Sequence, residues 1–455
     1  MAENLGLQKK KRVATMAESF GLHKKRRVAK PQSCVRQSNR PDRQADVLEL
    51  IVKRLAAESF GFQKKKRVAT MAPESSFGLQ KKRCVAKPQS SVQQSNWSDL
   101  HADVLELILK RLAVVDTIRF KAVCSCWNIA ASSYVCSPLY EPMLQAPWIM
   151  FHYNYKASLN FFSLTENRPY KIKRDDKEDL VLGASHGWLL NFNIESKTPY
   201  LLNPFSSSQG GKIQLPWMDC SFSYWMVFNS VVLSSDPSRS KNFTVATLNG
   251  FYPQRLSFWD HGDTKWRSIN MTWWNVYEYM ICHKGEIYAF SRIAWTVDVW
   301  DFHGVSPKQT FYIESVPLTL HEQWKVPKEI EYSVERRIFM VESSLLGDIL
   351  IVERDFLLEP IFFIIGFKVY KLNLSEGRWM PLQGLSDEAI LVGHANAVLI
   401  STRDFPEFEE NSIYYGGEGC DLRVYNLKEN KVIKSYPNCR CDADSTCWMV
   451  PTFSP

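Results

Sequence analysis

Between residues 185 and 433 the chain repeats a pattern that few folds can accommodate. An apolar strand is launched from a glycine or asparagine turn, and after a loop a second, alternating strand follows. The pairs are "SHGWLLNFN" with "PYLLNPF", "HKGEIYAFS" with "VDVWDF", "LGDILIVE" with "FKVYKLNL", and "NSIYYGG" with "LRVYNLKENKVI". In the third pair Tyr370, Leu372 and Leu374 alternate with Lys371 and Asn373, the period-2 signature of a half-buried strand. Trp266 in "DTKWRSI" and Trp379 in "EGRWMPL" hold similar places in their units. The launching turns at Gly285, Gly347 and Asn411 are spaced by about 60 residues, which points to radial repetition and a β-propeller over residues 141–455. Neither a Trp-Asp dipeptide in each unit nor a regular Gly-Gly with spaced Tyr and Trp is present. The propeller is therefore not an obvious WD-repeat or kelch array. An aromatic content of 13 % is too rich for a largely disordered chain.

Ahead of the strands the pattern is helical. Val104, Leu105, Ile108, Leu109 and Leu112 fall on one stripe of a 3.6-residue period. Glu106 and Lys110 form an i,i+4 pair on the other side, and Asp103 suits the start of the helix dipole. Asp116 is placed as N-cap of a second helix carrying Ile118, Phe120, Ala122, Val123 and Trp127. Two such helices bury too little alone and call for a third element or a partner. A DNA-reading helix-turn-helix would want Arg, Asn or Gln on the outward face; here that face offers mainly Arg119 and Lys121.

The string "WSDLHADVLELILKRLAVVDTIRFKAVCSCWNIAA" (97–131) resembles an F-box. The matching positions are Leu100, Val104, Leu105, Ile108, Leu112, Asp116, Ile118, Val123, Cys124 and Trp127. His101 stands where that family usually has Pro, which is expected to loosen the first turn without abolishing the hairpin. The order of strings in the body resembles the C-terminal domain of a large plant F-box family, the KIB-type β-propeller. Among them are "PWIMF", "GASHGWLL", "IQLP", "VVLSSDPS", "HKGEIYAFS", "DLRVYNL" and a terminal "CWMVP". The resemblance implies a small all-α F-box at 96–140, followed by an all-β propeller-like domain.

The function it implies is that of a substrate receptor in a Skp–cullin–F-box ubiquitin ligase. Leu100, Val104, Leu105, Ile108, Leu112, Ile118, Val123 and Trp127 would dock a Skp-type adaptor, and through it a cullin. The propeller would recruit an unidentified protein target, with no cofactor, no metal and no catalytic residue of its own. Trp217, Tyr224, Trp225, Trp273 and Trp274 are candidate target anchors, or else core filling between blades.

Residues 1–95 read as a mostly disordered basic arm made by tandem duplication. "KKKRVATMA" at 9–17 returns at 64–72, and "ADVLELIVKRLA" at 45–56 returns as "ADVLELILKRLA" at 102–113. Only the second helix copy continues into the Val123-Cys124-x-x-Trp127 segment, so the first is expected to be a remnant. The arm holds 22 Lys and Arg against 7 Asp and Glu in a chain of net charge +8, leaving the rest acidic. Its clusters, Lys9, Lys10, Lys11 and Arg12, then Lys24, Lys25, Arg26 and Arg27, then Lys64, Lys65, Lys66 and Arg67, resemble nuclear-import signals. Lys81–Arg83 forms a fourth. They suggest an import receptor as partner and a nuclear address, shared or not with the cytoplasm.

A second reading makes the chain a nuclear scaffold or nucleic-acid-associated protein acting through this arm without a ligase role; a third is an enzyme on a propeller scaffold. Nucleic acid is not the favoured partner, and no membrane partner is expected: the longest apolar run, "IFFIIGF", is far short of the roughly 20 residues of a span. No secretion signal is visible, and 11 scattered Cys suggest a reducing compartment rather than a disulfide framework. Gly183-Ala-Ser185-His-Gly187 fits a nucleophile elbow by letter, but a strand pattern follows it where the elbow needs a helix. Cys439, Cys441 and Cys447 lack a fourth zinc ligand.

Overall fold

The computed structural model describes residues 100–452 except 138–139, 141–143, 152–157, 175–178, 207–210, 219–229, 251–253, 273–275, 292, 303, 305–306, 314–333, 344–346, 358–362, 374, 395, 417–420, 438 and 440–445. The expectations for the basic arm, its import clusters and the first helix copy lie outside the described residues. So do Tyr224, Trp225, Trp273, Trp274 and Cys441.

Three helices come first: α1 (Ala102–Leu109), α2 (Val114–Lys121) and α3 (Ser125–Val135). His101 is the N-cap of α1, in extended conformation, with a ring nitrogen facing the Asp103 N–H at 3.5 Å. The replacement of Pro therefore still leaves a helix starting at Ala102. Lys110 meets Glu106 at 2.9 Å, as the spacing requires.

Two details of the second helix differ from expectation. Its N-cap is Ala113, which has no side-chain cap bond, and Asp116 lies buried inside the first turn. Nor does the helix run on to Trp127: Cys124 is extended and begins α3. The break turns α3 back over α2, bringing the Phe120 and Trp127 ring centroids to 4.3 Å. That tilted ring pair and Leu105, Leu109, Leu112 and Val123 fill the helical core. The third helix is thus the extra element that two short helices called for.

The strands follow as six sheets. First in the chain are β1 (Trp148–Phe151), β2 (Ser158–Ser163) and β3 (Arg168–Lys173). The second blade is β4 (Leu180–Ser185), β5 (Trp188–Asn193), β6 (Thr198–Leu202) and β7 (Lys212–Gln214). The third is β8 (Val231–Leu233), β9 (Thr244–Asn249), β10 (Arg255–Asp260) and β11 (Arg267–Asn270). The fourth is β12 (Tyr277–His283), β13 (Glu286–Ser291), β14 (Thr296–Asp301) and β15 (Lys308–Ile313). The fifth is β16 (Val334–Glu342), β17 (Ile349–Leu357), β18 (Phe363–Asn373) and β19 (Arg378–Leu382).

The sixth blade has five strands: β20 (Glu388–Val392), β21 (Ala397–Ser401), β22 (Ser412–Gly416), β23 (Leu422–Asn426) and β24 (Lys431–Tyr436). In it β20 and β22 pair in parallel, with Ala389 opposite Ser412 and Val392 opposite Tyr415. The last strand, β25 (Thr446–Met449), returns to pair with β1, Trp148 opposite Met449 and Phe151 opposite Thr446. The order β25-β1-β2-β3 thus closes the ring with strands from both ends of the body, a six-bladed propeller.

Each strand pair read from the sequence is a pair of neighbouring antiparallel strands in one blade. The launching turns have a physical cause. His186 and Gly187 (φ +50 and +79) and Lys284 and Gly285 (φ +51 and +84) take positive φ at both central positions, as the tight turns matched to strand twist require. Core clusters lie between adjacent blades. Met150 and Leu189 share one across the first two, Leu190 and Val245 another, Ala246 and Ile287 a third, Phe290, Phe339 and Tyr415 one large cluster, and Leu391 and Ile149 the last.

Candidate adaptor-docking surface

The helical stripe does not face one way. Leu105, Leu112, Val123 and Trp127 are buried in the interior of the three-helix unit. Leu100 and Ile108 are half-buried, and Val104 and Ile118 are exposed. Four of the eight predicted docking residues are thus buried among the helices.

The outward apolar surface includes two residues the stripe did not single out. Leu107 on α1 is 63 % exposed and Ile129 on α3 is 70 % exposed. Leu107 is three residues after Val104 and so shares its side of the helix; counting that second, shorter stripe would have found it. Ile129 had no comparable signal, because α3 was read as the tail of α2.

Between α1 and α3 lies a groove of about 570 Å³, lined by Leu100, Leu105, Ile129 and Tyr134, with Glu106 and Lys110 at its edge. The hydrogen bond that Lys110 donates to Glu106 raises the lysine pKa. This arrangement offers apolar area and a recess for an inserted side chain, flanked by a charged pair: the features of helix-against-helix recognition.

On the propeller, Trp217 is 56 % exposed. It follows β7 on the way to the inner strand β8, next to the turn at 194–197, where the Met218 N–H donates to the Lys197 carbonyl at 3.2 Å. It does not fill the core between blades. Trp266 and Trp379 do pack inward; the Trp266 indole N–H donates to the Pro216 carbonyl at 2.9 Å.

Ser185 ends β4, a tight turn follows, and β5 begins at Trp188. Its hydroxyl accepts the Leu233 N–H at 3.1 Å. Strand, turn and strand is not a nucleophile elbow. Cys439 and Cys447 are buried in different clusters, and burial pushes the Cys447 thiol up to about 12.

Two family models match the chain: the F-box domain over residues 97–136 and the KIB1-4 beta-propeller over 161–436. Similar curated proteins include F-box protein At1g69090 of Arabidopsis thaliana, 24 % identical over 417 residues, covering 80 % of this chain and 95 % of that protein. F-box/kelch-repeat protein KIB1 of Arabidopsis thaliana is 24 % identical over 362 residues, covering 75 % of this chain and 87 % of that protein.

Proposed function

This chain belongs to the KIB1-4 β-propeller family, with an F-box domain ahead of the propeller, and on that premise we propose that it is a substrate receptor of a Skp–cullin–F-box ubiquitin ligase. The helices dock a Skp-type adaptor and the propeller holds a target protein. The observation that carries the docking half is the pair Leu107 and Ile129, large apolar side chains left in solvent on a unit whose core is already full. Exposed apolar area beside a groove signals a partner. The receptor performs no bond chemistry in this scheme. It converts a bimolecular encounter of target and charged conjugating enzyme into one at an effective concentration of about millimolar. Trp217 is a candidate target anchor, since a rigid aromatic on a loop supplies contact area at small entropic cost.

The test is capture by a purified Skp-type adaptor. Leu107→Asp with Ile129→Asp is expected to keep the helical circular dichroism of the parent and weaken capture at least about tenfold, the loss of two apolar anchors. Leu48→Asp in the first helix copy is expected to change nothing. Undiminished capture by the double variant would remove the docking assignment.

The nuclear address is part of the same proposal. Residues 1–95 fused to a fluorescent protein should accumulate in nuclei, and replacing Lys9–Arg12, Lys24–Arg27, Lys64–Arg67 and Lys81–Arg83 by Ala should abolish it.

A further inference from the structure

The helices are not joined to the propeller by a free hinge. Arg119, near the end of α2, donates to the buried Asp116 at 2.7 Å and to the Tyr170 hydroxyl on β3 at 3.2 Å. The Tyr170 hydroxyl in turn donates to Glu166. The Tyr170 ring stacks on Trp148 at 4.4 Å and 16°, and the Arg119 guanidinium stands 5.9 Å from its centroid.

Around this relay the core is continuous. Val114 and Val135 of the helices are buried in one cluster with Trp148, Met150, Phe161, Phe205 and Met449 of the propeller. The connector contributes as well. Ala113 cannot cap α2 with its side chain, and the Gln145 amide oxygen accepts the Val114 N–H at 3.3 Å instead. Tyr134 and Tyr140 meet edge to face at 5.2 Å. A flexible tether would leave the helix end to solvent and the two cores separate. Here a buried carboxylate, a half-buried guanidinium and phenol, and a second carboxylate bridge them, a hydrogen-bonded network whose members support one another.

From this we infer that Arg119 and Tyr170 are positioning residues that lock the F-box to the first blade, so that propeller and adaptor-docking face keep one fixed orientation. Such a lock narrows the volume a bound target explores and raises its effective concentration at the conjugating enzyme. That consequence rests on the receptor reading; the lock itself does not. The helices pack against the strand ends that carry Glu166 and Phe205, the ends opposite the loops that enter the inner strands. A target held on those entry loops is therefore presented at a set height above the adaptor.

The test uses the full chain with spin labels carried by non-natural residues at the exposed positions Asn128 and Lys308, and reads the distance distribution between them. The parent is expected to give a single narrow distribution. Tyr170→Phe keeps the stacked ring and loses only the hydroxyl; with Arg119→Ala it is expected to widen the distribution by about twofold or more, as deletion of a bridging hydrogen bond loosens a packed interface. Arg119→Lys should restore part of the narrowing. Adaptor capture by the variants should stay within about twofold of the parent, since neither Arg119 nor Tyr170 lines the groove between α1 and α3. A parent distribution that is already broad, or a width unchanged in both Tyr170→Phe and Arg119→Ala, would overturn the lock. Failure of the parent to capture an adaptor would overturn the receptor reading alone.

Discussion

Leu105 and Leu107 are two positions apart on one helix, yet one is buried and the other exposed, and only the packing around the helix makes the difference. His394 shows how a buried environment fixes a charge state in the same way. Its Nδ1 is 3.0 Å from an Arg337 nitrogen, and Arg337 also donates to the His394 carbonyl at 3.1 Å. Burial first, then the Arg337 and Arg354 charges, push its pKa from 6.5 down to about 3. The folded state therefore keeps His394 neutral where the unfolded chain protonates it. Stability from this group is complete above pH 6.5 and is lost as pH falls toward 3. Chemical denaturation between pH 7 and 5 also carries the opposite contribution of Glu353, whose carboxyl burial pushes up to about 7, so the reading is a difference: His394→Gln should lose less stability than the parent over that range.

Among the elements, the hairpin joining β4 to β5 has the least freedom. A Cβ on Gly187 would lie 2.2 Å from the Thr452 hydroxyl oxygen and 2.8 Å from the Val450 carbonyl oxygen, at φ +79. Gly187→Ala therefore combines backbone strain with a clash against the backbone that follows β25, and should cost roughly 3 kcal/mol or more. Gly262 has φ +101 but nothing within 4 Å of the added Cβ. Gly262→Ala should carry the backbone cost alone, about 1–2 kcal/mol. Thermal melts of the two variants decide it, and equal losses would mean that the tight packing at Gly187 is not felt. The α2–α3 break belongs to this scale too: the sequence has no Pro or Gly there, so nothing local announced it, and the Phe120–Trp127 contact sets it.

For the propeller as a whole, the decisive contact joins residues almost three hundred apart. Strand β25 pairs with β1 and is followed along the ring by β4 on one side and the β20–β21 hairpin on the other. Without it the first blade loses its innermost strand, and the cores containing Cys447, Trp448 and Met449 open together. Net stability of a domain is only about 5–15 kcal/mol, less than such a loss. A chain ending at residue 445 should show no cooperative thermal transition, whereas retention of a sharp transition would show that five blades and a partial sixth suffice.

Local sequence determined what depends on neighbours a few residues away. The strand pairs, the turns at His186–Gly187 and Lys284–Gly285, and the helix with Glu106 beside Lys110 were all legible, because period and turn chemistry act over one or two turns of chain. The tertiary structure alone decided that the ring has six blades, that β20 and β22 run parallel, and that β25 closes on β1. It also decided that Leu105 is buried while Leu107 is exposed, and that Asp116 reaches Tyr170 through Arg119 rather than capping a helix. These depend on the angle each sheet makes with the next and on contacts spanning tens to hundreds of residues. Periodicity tells a side chain which face it shares with its neighbours, and only the packed neighbours tell it whether that face is covered.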